Sequence, residues 1–81
     1  MSRFALQWLV TAQAERLTHV MLLDKDRPAP YAVAAGHGAD KVEALLNLRV
    51  TLTENHASPE AIDYVAVAYT RRTGKAPGEP R

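Results

Sequence analysis

The chain contains no cysteine. A disulfide framework, a thiolate zinc site and a cysteine nucleophile are excluded together. Aromatic residues are scarce at 6%, with a single Phe and a single Trp. No apolar run approaches the roughly 18 residues that cross a bilayer, and the N-terminus lacks a signal-peptide cleavage pattern. Both absences lead us to expect a soluble cytoplasmic protein with no membrane role. Excess charge of one sign is missing too. Ten Lys+Arg face nine Asp+Glu, a formal charge of +1, far from the strong positive field usual for non-specific nucleic-acid binding. No internal repeat stands out.

What the chain does have is 47% hydrophobic residues in a length of 81. That length allows one compact domain, expected over residues 1–73, followed by a flexible tail over 74–81 that is rich in proline and glycine. A domain this small buries only roughly 60–65% of the surface its unfolded chain exposes. A partner subunit would add the missing burial, so a homodimer or a docked protein partner is the first expectation.

Large side chains at Phe4, Leu6, Trp8 and Val10 alternate with Ala5, Gln7 and Leu9, the period of two that a half-buried strand requires. Leu17–Leu23 reads as a second strand. Asp24-Lys25-Asp26-Arg27-Pro28-Ala29-Pro30 then forms a loop of turn formers and prolines. Tyr31, Val33 and Ala35 begin a short third strand that should stop at Gly36-His37-Gly38.

Asp40 and Glu43 stand at capping-box spacing ahead of an apolar stretch, which predicts a helix start. Val42, Leu45, Leu46, Leu48, Val50 and Leu52 would form its apolar stripe, opposite Glu43, Asn47, Thr51 and Glu54. Residues 49–53 also alternate with β-branched side chains, so an early helix end followed by a strand stays open. Ser58-Pro59-Glu60 marks a second helix start, and Arg71, Arg72 and Gly74 its stop. A fourth strand over 65–70 is the competing reading; two marked ends favour the helix. The fold class expected is α+β: a three-stranded antiparallel meander, an amphipathic helix across it, and a second C-terminal helix.

The stretch Gly38-Ala39-Asp40-Lys41-Val42-Glu43-Ala44-Leu45-Leu46-Asn47-Leu48 resembles the run of glycine, capping residue, Glu-Ala-Leu and Asn-Leu in HicB-type antitoxins, whose strands precede that helix in the same order. The resemblance covers about residues 17–56 and implies a fold more than an activity. Where that family carries a Pro-Asp-Leu-Pro-Gly-like segment, this chain has Ala32-Val33-Ala34-Ala35-Gly36-His37. The remainder is also shorter than the family's DNA-binding helical module. Double-stranded-RNA-binding domains are similar in the coarse order of elements. They present several lysines at the start of the final helix, where this chain has Lys41 alone, between Asp40 and Glu43.

No nucleophile set, acid pair or metal set is recognisable, so neither an enzyme nor a cofactor is expected. Gly36-His37-Gly38 before a helix start suits an anion in principle, but Asp40 and Glu43 would occupy those donors, and a plain strand-to-helix turn is the better reading. His19, His37 and His56 fall on different elements and need the fold to bring them together. Asp24 and Asp26, interleaved with Lys25 and Arg27, read as solvated turn residues.

Four residues are candidates for partner binding. Trp8 either anchors the core or faces outward as a docking or stacking surface. Arg49 lies within the apolar stripe, where its stem can pack while the guanidinium reaches an edge, or where it meets a partner's carboxylate. Tyr64 and Val67 lie off the face made by Ile62, Val65, Ala66 and Tyr69, which implies a second packing surface. Nucleic-acid binding through Lys41, Arg71, Arg72 and Lys75 is the alternative, not the favoured reading.

Overall fold

The computed structural model describes residues 3–11, 17–28 and 32–79. The alternation of the first strand resolves into β1 (Phe4–Val10), which pairs antiparallel with β2 (Thr18–Asp24); β2 in turn pairs antiparallel with β3 (Ala32–Gly38). The sheet order β1-β2-β3 is a meander. Two helices follow, α1 (Lys41–Glu54) and α2 (Pro59–Thr73), which gives the expected β-β-β-α-α order of an α+β fold. Tyr31, the expected opening of the third strand, and the last two residues of the tail lie outside the described residues.

Register fixes which side chains share a face. Phe4 opposes Asp24, Leu6 opposes Leu22, Trp8 opposes Val20 and Val10 opposes Thr18, and these residues point toward the helices. Phe4, Val20 and Leu22 join Ala44, Leu45, Leu48 and Leu52 of α1 and Ala61, Val65 and Tyr69 of α2 in one buried core. Each fully buried leucine contributes about 2 kcal/mol through removal of apolar surface from water. Trp8 and Tyr64 are partly buried against this core. Val20 and Leu22 are fully buried, and Leu9 is left 64% exposed.

The third strand corrects the sequence reading. Gly36-His37-Gly38 does not end it but completes it: Gly36 pairs with Val20 and Gly38 with Thr18. The glycines are there because α1 lies against this strand. A Cβ on Gly36 would collide with the Leu48 backbone nitrogen and stand 2.7 Å from the Ala44 carbonyl oxygen, and one on Gly38 would stand 2.7 Å from the Glu43 side chain. Asn47 closes the same seam by donating from Nδ2 to the His37 carbonyl at 2.6 Å. It therefore braces the strand edge while staying on the exposed side of α1, as the helical pattern expects.

Asp40 caps α1, its side chain accepting from the Glu43 amide at 2.8 Å and its carbonyl from the Ala44 amide at 3.0 Å. The helix continues unbroken through 49–53, which removes the strand alternative. The Thr51 and Thr53 hydroxyls donate back to the carbonyls of Asn47 and Arg49. Val50 leaves the expected stripe at 49% exposed, since two residues beyond Leu48 is about 200° round the helix. Ser58 caps α2 through the Ala61 amide, and Gly74 ends it at φ 74°. Beyond it, the Glu79 amide donates to the Ala76 carbonyl at 3.1 Å.

Asp24 is a second correction. Rather than a solvated loop residue it is the last residue of β2, its side chain only 4% exposed, held by Arg3. Asp26 stays exposed, 3.7 Å from the same guanidinium.

Candidate functional site

Both helices cover the same face of the sheet, because Phe4, Val20, Leu22, Gly36 and Gly38 all pack toward them. The opposite face carries Gln7, Leu9, His19, Met21, Ala35 and His37 in register across three strands. None of these is an aspartate, glutamate, lysine or arginine. Leu9 is 64% and Met21 37% exposed. Between them lies a shallow depression of about 350 Å³, to which Gln7, His19 and Ala35 also contribute. Leu9 and Met21 thus share one patch on this face, while Val10, Val50 and Val67 are exposed elsewhere.

That face also brings two of the three histidines together. His19 and His37 are register partners on β2 and β3, with ring centroids 5.7 Å apart and planes inclined at 33°. His56 stays apart in the α1–α2 turn, at φ 54°. Among the described residues, no group of three or more His, Asp or Glu side chains is placed to hold a metal ion.

Trp8 lies on the helix side of β1 and is half-buried against the core. Its ring is approached by Lys41 Nζ at 5.3 Å from the start of α1 and by Arg72 Cζ at 4.9 Å from the end of α2. The structure therefore joins one predicted partner-binding residue to two residues of the nucleic-acid alternative. Arg71 and Lys75 are exposed near the end of α2. Each cation is attracted to the indole quadrupole.

Tyr64 and Val67 do not join Trp8. Tyr64 packs on Phe4 with ring centroids 5.6 Å apart. With Val67, which is 42% exposed, it lines a groove of about 560 Å³ between β1 and α2. Arg3, Glu60, Asp63 and Arg71 rim that groove. Its mixed charges are well solvated and make it a weaker apolar docking surface than the outer sheet face. Arg49 sits on α1 among Leu45, Leu48 and Leu52, half-buried, and its Nε is buried without a hydrogen-bond partner. The four predicted partner-binding residues thus occupy three separate places.

The sequence reading missed Met21 and the joining of His19 to His37. Strict alternation along residues 18–24 placed His19 and Met21 on the face opposite Val20 and Leu22, and that was the signal available; His37 joins them only through the strand register.

No helix among the described residues is long and apolar enough to cross a membrane. No protein-family model, curated protein or solved structure matches this chain.

Proposed function

We propose that the protein is a small non-enzymatic interaction module that pairs with a second copy of itself through the outer face of its sheet. The observation that supports this reading is an uncharged face with Leu9 and Met21 exposed, on the side that neither helix covers. A second copy suits it because the same neutral surface on both partners leaves no unpaired charge to desolvate. Seven-residue strands spaced about 4.8 Å apart give a footprint of about 14 × 23 Å, so two such faces cover roughly 640 Å² in total. That is below the usual size of a specific interface, so the dimer is expected to be weak and to form only at high concentration.

Light scattering and sedimentation from about 1 µM to 1 mM test it. A concentration-dependent dimer is expected, and Leu9→Glu with Met21→Glu should leave a folded monomer. A monomer at every concentration removes the reading.

One observation favours a second reading, nucleic-acid binding: Lys41 and Arg72 converge on Trp8, and Arg71 and Lys75 are exposed at the same end of α2. A stacked base on the exposed part of the indole and phosphates on the cations would use all of these groups. Binding of a single-stranded oligonucleotide at about 20 mM salt should weaken steeply toward 200 mM and drop in Arg71→Ala/Arg72→Ala. No binding at the lower salt removes this reading.

A further inference from the structure

We propose that His19 and His37 form a chelating pair for an imidazole-preferring divalent transition-metal ion of the nickel, copper or zinc type. The pair does not depend on self-association, since both donors come from one chain.

The geometry carries the argument. A metal–nitrogen bond of about 2.0–2.1 Å and a further ~1.1 Å from nitrogen to ring centre put a bound imidazole's centroid about 3.2 Å from the ion. Two such arms at the tetrahedral angle stand about 5.2 Å apart, and the observed 5.7 Å corresponds to an angle near ~125°. The rings therefore already stand at chelating separation, and side-chain rotation alone would turn their nitrogens onto a common ion. The ladder fixes both backbones in register, and Asn47 clamps the His37 carbonyl at 2.6 Å. Little ordering is left to be done when an ion binds.

The surroundings agree. Neither imidazole has a hydrogen-bond or ion-pair partner among the described residues, so no existing bond must break. The neighbours on that face, Leu9, Met21 and Ala35, are neutral, and no cation among them opposes a second positive charge. Binding needs the neutral imidazole, so protons compete with the ion. The remaining coordination positions face outward and are open to water.

Ni²⁺ titrated into the full 81-residue chain, followed by calorimetry at neutral pH, tests this. One ion per chain is expected, or one per two chains if the outer faces pair. The affinity should fall at least tenfold in His19→Ala and in His37→Ala and stay unchanged in His56→Ala. His37 is exposed, so His37→Gln answers the question should His19→Ala fail to fold. Equal affinity in the parent and the His37 variants, equal loss in His56→Ala, or no binding at millimolar Ni²⁺ would each overturn the proposal. Light scattering of the same samples reports self-association separately: a monomer that binds Ni²⁺ sinks the pairing and keeps the metal site.

Discussion

Arg3 donates to both carboxylate oxygens of Asp24, from Nη2 at 2.7 Å and from Nε at 3.1 Å. The fork closes the open end of the β1–β2 hairpin, where the Lys25 amide also donates to the Arg3 carbonyl at 2.8 Å. Hydrogen bonding from Arg3, aided by the Asp26 amide, holds the Asp24 carboxyl below its ordinary value against the opposing effect of burial, and Asp24 in turn raises the Arg3 guanidinium.

Stability should therefore depend on acid in a defined direction. The folded-state value of Asp24 lies below the unfolded one, so its contribution is fully present above about pH 4 and is lost as pH falls through the folded value. Urea midpoints should drop below pH 4, and Asp24→Asn should be less stable at neutral pH with a shallower decline below it. Parallel pH profiles for the two proteins would contradict this.

Gly36→Ala should be among the most damaging single-methyl additions. The new Cβ meets Leu48 and Ala44 backbone atoms that cannot swing aside, and a loss of about 3 kcal/mol or more is expected in chemical denaturation. Leu48→Ala, which empties the other side of that seam, should lose about 2–5 kcal/mol. Val67→Ala, on an exposed site, should stay within about 0.5 kcal/mol.

Arg49→Met keeps the length of the aliphatic stem and removes a buried Nε that has no hydrogen-bond partner. Stability should be unchanged or rise by about 1 kcal/mol. If dimerisation by light scattering is also unchanged, Arg49 is no partner contact; a fall in dimerisation with the fold intact would show that it is one.

The single tryptophan is its own reporter. Two cations beside Trp8 should concentrate an anionic quencher, so iodide should quench its fluorescence about twofold more effectively, relative to neutral acrylamide, than in Lys41→Ala/Arg72→Ala. Identical ratios in the two proteins would show that the cations do not stay at the ring in solution.

The order of elements was legible because each carries a local signature: alternation in β1 and β2, Asp40 ahead of α1, Ser58-Pro59 ahead of α2 and Gly74 after it. What escaped depends on contacts across the chain. Gly36 and Gly38 look like turn residues to any local rule, and only the approach of α1 explains them as strand residues. Asp24 reads as one charge among several until Arg3, 21 residues earlier, is brought beside it. Lys41 and Arg72 stand at the ends of different helices, and no spacing announces that both reach Trp8. The histidine pair needed the strand register, which one-residue slips would have broken.

The contact of Phe4 with Tyr64, together with the 3.5 Å approach of Arg3 to Glu60, joins the first strand of the protein to its last helix. A growing polypeptide can thus assemble its meander early, yet the hydrophobic lining stays unsealed until Tyr69 has emerged from the ribosome. Premature termination just before that codon would leave α1 on the sheet but the core short of Tyr69 and open at that end, prone to aggregation and accessible to chaperones and proteases.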